Sequence, residues 1–312
     1  MRSVALAALL LCLASASADA SSLKSRCFGA ASRDPQRAFC APFASSLRVS
    51  PSLKFAAKQF VARGVDRNAY LCRGGLRNRD RLVACYLGVA RSTATSSAAI
   101  IGDSHAAQWR PGIDLLAKRK KWSVVSLVEH SCDYTLPDRV RSTGNFASCR
   151  RWRIRVAAFL KLHPEIETVF VTGNSSYAGS RQNSAAEIAA YQSAWHKLPA
   201  SVKRVVVIRD NPHSRPDNGR CLTRAIKAKR NAARACSYSR PKAVGPDNAV
   251  LAARALNDPA INVVDLSDFY CDSKLCFPVI GQALVYADGS HVTPTFNRSL
   301  GPYLLRAVNA LG

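Results

Sequence analysis

Apolar positions are irregularly spaced up to about residue 95, and then settle into alternating short apolar runs and amphipathic stretches. Ser97 to Ile101 is an apolar run of strand length, and Ala106 to Lys120 follows it with helical spacing. Trp122 to Val128 reads as a second strand, Ala147 to Leu162 as a helix and Ile166 to Thr172 as a third strand. A helix over Ser184 to Leu198 and a valine-rich strand over Val202 to Arg209 come next. Pro246 to Asn257 (helix), Ile261 to Leu266 (strand) and Thr295 to Val308 (helix) complete the series. A basic segment carrying Cys221 and Cys236 interrupts it as an insertion. Strands alternating with helices predict βαβ units and a parallel sheet, hence an α/β fold. No internal repeat is present.

Residues 21–95 follow no such order. They hold four cysteines, several Arg/Gly/Asn turn clusters and one short helical stretch near Pro51 to Arg63. They read as a disulfide-stapled N-terminal extension packed on a main domain at 96–312. The 312-residue length suits one large α/β domain with such an appendage.

Residues 1–20 read as a cleaved signal peptide. Arg2 supplies a positive charge, Val4 to Leu13 a short apolar run, and Ala18 and Ala20 the small residues before a cleavage point. An uncleaved membrane anchor is the alternative, but the run falls short of the ~20 apolar residues that span a bilayer. No later stretch reaches that length either, so a soluble, secreted or extracytoplasmic protein is expected.

The cysteines agree with export. Of 11, Cys12 lies in the signal segment, and the ten that remain fall into successive local pairs. These are Cys27/Cys40, Cys72/Cys85, Cys132/Cys149, Cys221/Cys236 and Cys271/Cys276. Spacing does not settle connectivity, but nearest-neighbour pairing is the simplest scheme. A closed loop of roughly 15 residues contributes ~3 kcal/mol in the chain-entropy account. Zinc ligation is the competing use, and the chain lacks the Cys-x-x-Cys and clustered histidines it favours. No metal and no cofactor are expected.

A formal charge of +25 would attract any polyanion. The basic residues are scattered, however, without interleaved aromatics or the spacing of a DNA-binding helix pair or finger. Nucleic acid is therefore not expected as a partner. An ordinary solvated basic face is one reading, and attraction to an anionic envelope polymer is the other.

The chemistry concentrates in two places. Ile100-Ile101-Gly102-Asp103-Ser104-His105-Ala106 runs from an apolar strand through a Gly-Asp-Ser turn into a helix. Ser104 is thus placed at the carboxyl end of a strand, the edge where open α/β sheets bind ligands, and at a helix N-terminus that favours developing negative charge. Taken by itself, Ser104 is equally an ordinary N-cap. Near the C-terminus stands Ala287-Asp288-Gly289-Ser290-His291-Val292-Thr293. A serine hydroxyl needs a base, most often a histidine oriented by a carboxylate. The spacing of Asp288 and His291 lets one turn bring both side chains to one side.

Gly-Asp-Ser after the first strand, with Asp-x-x-His before the last helix, resembles the SGNH/GDSL hydrolase superfamily. The longer segment from Ile101 through Trp109 is similar to the extracytoplasmic SGNH domains fused to, or working with, membrane acyltransferase-3 proteins that O-acetylate envelope glycans. The likeness continues through Ser131-Cys132, Cys149 to Trp152, Val169 to Tyr177, Val264 to Cys276 and Val285 to Thr293, nearly the whole chain from about residue 27. It implies a three-layer α/β/α sandwich of flavodoxin-like type around a central parallel sheet.

The resemblance also implies roles: Ser104 as nucleophile, His291 as base and Asp288 as orienting acid. The oxyanion hole would use the Ser104 N–H with Asn174 and Gly173 at the end of the third strand. The family's glycine donor has no clear counterpart, leaving Gly144 or a backbone N–H near Ser131-Cys132. His105 reads as a structural neighbour of the nucleophile. The expectation is a secreted serine esterase or O-acyltransferase acting on acyl, chiefly acetyl, esters of envelope carbohydrate. A separate acyltransferase-3 protein is an implied partner. The alternative is a non-catalytic glycan-binding or partner module that kept the fold.

Overall fold

A computed structural model describes residues 26–45, 49–59, 71–73, 82–136, 146–175 and 184–312. The signal segment expected at 1–20 and the oxyanion candidate Gly144 lie outside the described residues. The centre of the fold is a seven-stranded sheet. Its strands are β1 (Leu71–Arg73), β2 (Ala84–Gly88), β3 (Ser96–Gly102), β4 (Trp122–Val128), β5 (Ile166–Thr172), β6 (Arg204–Ile208) and, later in the chain, β8 (Ile261–Val264), in the spatial order β1-β2-β4-β3-β5-β6-β8. From β4 to β8 all neighbours are parallel, whereas β1 and β2 add an antiparallel edge. Counting the parallel strands alone in chain order gives 2-1-3-4-5, the flavodoxin-like arrangement. The strand order reverses beside β3, which sets a crevice at the carboxyl ends of β3 and β5.

Helices cover both faces. α1 (Leu53–Gln59) precedes the sheet. α2 (Ser104–Ala107) and α3 (Arg110–Lys120) follow β3, α4 (Phe146–Leu162) follows β4, α5 (Ala185–His196) follows β5, α9 (Asn248–Leu256) precedes β8, and α10 (Pro294–Asn309) closes the chain. Successive residues of β3 divide between the two layers. Ala98 and Ile100 pack with Ile113 and Leu116 of α3 and with Phe296, Leu300 and Leu304 of α10. Ala99 and Ile101 pack with Trp152 and Val156 of α4, Trp195 of α5 and Val250 of α9. A strand covered on both sides must be apolar throughout, so the run reads as continuous rather than alternating. Each fully buried aliphatic or aromatic side chain contributes about 1.5–3 kcal/mol.

Local signals set most ends. Ser184, Asp247 and Thr293 cap α5, α9 and α10 with side-chain oxygens that accept backbone N–H groups. The single helix expected over Ala106 to Lys120 is two helices instead. The break falls at Gln108–Trp109, and Pro111, which has no N–H to donate, sits in the first turn of α3. The stretch read as irregular also holds two strands: β2 pairs with β4, and β1 pairs with β2.

Residues 26–45 pack on α10, where Ala30 N–H donates to Ser299 Oγ (3.0 Å) and Asp34 pairs with Arg306 (2.9 Å). The insertion after β6 contains α6 (Asn218–Lys227), α7 (Ala232–Ala235), β7 (Tyr238–Ser239) and α8 (Arg240–Ala243). Its own small core of Leu222, Ala225, Ala232 and Ala233 packs on Val279 and Leu284. β7 pairs with β9 (Leu275–Cys276), and β10 (Val279–Ile280) pairs with β11 (Ala283–Leu284).

Disulfides join Cys27–Cys40, Cys132–Cys149, Cys221–Cys236 and Cys271–Cys276. Cys85 is also disulfide-bonded, and the β1–β2 register sets Cys72 directly opposite it. Local pairing is the rule because each pair closes a short loop at small entropic cost.

Ile100 is fully buried at the centre of the sheet. Ile100→Ala is expected to lower unfolding stability by about 2–5 kcal/mol, measured by chemical denaturation.

Candidate active site

Gly102 ends β3 with φ +149°, and a Cβ placed there would lie 1.9 Å from the Thr172 carbonyl oxygen. Only glycine lets the ends of β3 and β5 approach so closely. Asp103 follows as the N-cap of α2. Its buried carboxylate accepts the His105 N–H on Oδ1 (2.8 Å) and the Asn174 N–H on Oδ2 (3.1 Å). The turn that presents Ser104 is thereby tied to the end of β5.

The second half of the site comes from the loop before α10. Asp288 Oδ1 accepts the backbone N–H groups of Ser290 and His291, both at 2.8 Å. This local turn draws the two side chains together, and Asp288 Oδ2 meets His291 Nδ1 at 2.7 Å. His291 Nε2 lies 2.9 Å from Ser104 Oγ. With the Nδ1 proton donated to Asp288, Nε2 is the acceptor for the serine hydroxyl. Three side chains separated by 187 residues therefore form one hydrogen-bonded chain.

Asp288 keeps part of its surface in solvent. Burial would raise its pKa, but the His291 ring and the two backbone N–H groups outweigh it and lower the value from 3.8 to about 2.

A second set of polar groups holds the His291 loop from behind. The buried Gln108, immediately after α2, accepts the Val292 N–H on Oε1 (2.7 Å) and donates from Nε2 to Asn211 Oδ1 (2.7 Å). Asn211 Nδ2 in turn donates to the Ser290 carbonyl (3.1 Å). The peptide groups on both sides of His291 are thus clamped by two side-chain amides, one of them a single turn past Ser104. Ser214 Oγ adds a hydrogen bond to the Gly289 carbonyl (2.8 Å), and Tyr286 OH one to the Pro212 carbonyl (2.8 Å).

His105 is fully buried, and its Nδ1 lies 2.6 Å from Asp210 Oδ1. Its ring is 4.8 Å from that of His291, tilted by 48°. Burial works against the Asp210 carboxylate, yet the His105 ring and the Ser175 N–H hold its pKa below the usual range. His105 therefore contacts the His291 ring while its own ring is held by Asp210.

Asn174 is buried at the end of β5, held to the Ser104 turn through Asp103. Gly173 beside it backs onto Asp133, whose Oδ1 lies 2.6 Å from where a Cβ would stand. Of the backbone alternatives near Ser131-Cys132, the Cys132 N–H donates to the Glu129 carbonyl (3.3 Å). Among the described residues, no group of three or more His, Cys, Asp or Glu side chains is arranged to hold a metal ion.

Gln108, Asp210 and Asn211 carry no role in the sequence reading. Asp210 and Asn211 directly follow β6, at the sheet edge where sites of this architecture gather, and that position was the available signal.

A protein-family model described as "SGNH domain (fused to AT3 domains)" matches residues 71–306. The periplasmic domain of a lipopolysaccharide acetyltransferase from Salmonella ser. Paratyphi A is similar in structure, with TM-score 0.50 and 13% identity over 72% of this chain and 89% of that one. An esterase domain from Rhodothermus marinus (TM-score 0.34, 16% identity, 77% and 98% covered) and the carboxylesterase CesB of Bacillus subtilis (0.32, 11%, 83% and 96%) are more distant. Among curated proteins, none matches the chain.

Two outcomes follow from this geometry. Because the folded Asp288 is the stronger acid, its stabilising contribution is present above pH 3.8 and is lost as pH falls towards about 2. Asp288→Asn is expected to be less stable than the native chain near neutrality, with the difference vanishing over that window in pH-dependent denaturation. Gln108→Leu removes both amide bonds and leaves the Val292 N–H buried without its acceptor. A cost of about 1–3 kcal/mol is expected, with broadening of the His291 Nδ1 proton signal in NMR spectra.

Proposed function

Because the chain belongs to the SGNH domain family, whose model is described as fused to AT3 domains, we propose that it is an extracytoplasmic serine esterase or O-acyltransferase acting on acyl, chiefly acetyl, esters of envelope carbohydrate. The observation that carries this reading is the chain from Ser104 Oγ through His291 to Asp288, at 2.9 and 2.7 Å. Ser104 is the nucleophile, His291 the general base and Asp288 the group that orients the imidazole.

In the first step His291 Nε2 takes the Ser104 proton as Oγ attacks the ester carbonyl. The Nδ1 proton stays shared with Asp288, whose carboxylate stabilises the imidazolium. The oxyanion is held by the Ser104 N–H, with Asn174 and Gly173 beside it at the end of β5. His291 then returns its proton to the departing oxygen, leaving an acyl-serine. Water or a sugar hydroxyl, deprotonated by the same imidazole, attacks this intermediate and restores the serine. Water as acceptor makes the protein an esterase, and a sugar hydroxyl makes it a transferase.

The disulfides support an oxidising compartment outside the cytoplasm, in keeping with the signal segment expected at residues 1–20. The fused AT3 domains of the family, and the likeness to a lipopolysaccharide acetyltransferase domain, support a glycan substrate and a membrane acyltransferase-3 partner as acyl donor.

Labelling by a fluorophosphonate probe and turnover of p-nitrophenyl acetate, with and without glycan acceptors, test the reading. Ser104→Ala and His291→Ala are each expected to lose about 10³-fold or more in turnover, and Ser104→Ala to lose labelling altogether. A native protein that is neither labelled nor active on any ester would leave a non-catalytic module as the better account.

A further inference from the structure

The proposed chemistry leaves the insertion after β6 without a task. Residues 214–242 hold nine Arg or Lys and a single acid, Asp217, against 45 basic residues in the whole 312-residue chain. Asp217 is taken up by Arg215 and Arg224, and Arg240 pairs with Asp268 outside the insertion. Arg220, Lys227, Lys229, Arg230, Arg234 and Lys242 are exposed, and among the described residues none is paired with an acidic side chain. Arg220, Arg224 and Lys227 stand at i, i+4 and i+7 on the outer face of α6, whose inner face buries Cys221, Leu222 and Ala225. Like charges at i, i+3 and i, i+4 repel, at about 0.2–0.5 kcal/mol per pair, and Asp217 reaches only Arg224 of the three, so the face keeps an excess of positive charge that a bound anion would offset.

The insertion is also fixed in place beside the site. The Cys221–Cys236 disulfide closes it, and its core packs on the β10–β11 hairpin that leads into the Asp288–His291 loop. Its first residues are bonded to that loop through Ser214 to Gly289 and, just upstream, Asn211 to Ser290. Ile226, at 39% exposure, is its one exposed large apolar side chain, and Tyr238 its one aromatic ring. A membrane-lying helix needs apolar side chains to bury in the interface, and single-stranded nucleic acid needs aromatic platforms. A cationic face with neither fits a hydrated, negatively charged chain.

We propose that this insertion is a docking surface for an acidic glycan, one bearing carboxylate or phosphate groups, which it holds beside the Ser104 hydroxyl. The identity of the ligand as a glycan rests on the esterase or acyltransferase reading, whereas the anion-binding surface does not.

The test is binding of fluorescently labelled oligogalacturonate to the full chain, followed by fluorescence polarisation. Neutral dextran, phosphatidylglycerol vesicles and duplex DNA serve as comparators. The native protein is expected to bind oligogalacturonate and not dextran. Affinity should fall about tenfold or more in the triple variant Arg220→Glu, Lys227→Glu, Arg230→Glu. Ser104→Ala is expected to bind as the native chain does, so failure of catalysis and failure of docking are read separately. Should the triple reversal lower the melting temperature, the corresponding Gln variants decide, with a smaller loss in the same direction expected. No binding of oligogalacturonate, unchanged affinity in the variants, or tighter binding of vesicles or duplex DNA would overturn the proposal.

Discussion

The catalytic reading of this molecule depends on one contact between groups that the chain separates widely: the 2.9 Å approach of His291 Nε2 to Ser104 Oγ. Neither residue could hold that distance alone. The serine stands on a turn that Gly102 permits and Asp103 pins to β5, and the histidine on a loop folded by Asp288. What joins the two halves is a buried pair of amides. Gln108, on the chain segment of Ser104, and Asn211, after β6, grip the peptide groups flanking His291. Side-chain amides suit this task because each offers both a donor and an acceptor and carries no charge to desolvate.

Charge is spent more selectively. Asp103 and Asp210 are buried carboxylates, and each is offset by several N–H donors or by an imidazole. Asp288 differs in keeping part of its surface in water while gripping the imidazole. A carboxylate in that setting stays ionised through the physiological range, which a fully buried and unpaired one would not do. The His105 ring, held by Asp210, lies 4.8 Å from the His291 ring and tilted to it.

The parallel sheet was legible because strands covered on both faces are largely apolar, and the runs at 97–101, 122–128 and 166–172 are mostly so. The caps Ser184 and Thr293 likewise act within a few residues of where they stand. The break at Gln108–Trp109 was less legible, because apolar spacing continues across it to Pro111 in the first turn of α3, and Gln108's engagement with the His291 loop joins residues 184 apart. Strands β1 and β2 were missed for a similar reason. Short and at an edge, they owe their existence to pairing, β2 with β4 and β1 with β2, rather than to a pattern of their own.

By itself, the sequence determined the α/β alternation, the local grouping of the cysteines and the two short motifs around Ser104 and Asp288–His291, since each is written in residues close enough to influence one another directly. The strand order, the meeting of those motifs, and the supporting roles of Gln108, Asp210 and Asn211 were decided only in the folded chain. The hydrogen bonds that assemble the site join positions 71 to 187 residues apart, and a hydrogen bond across such a span leaves no periodicity or spacing in the sequence from which it could be read.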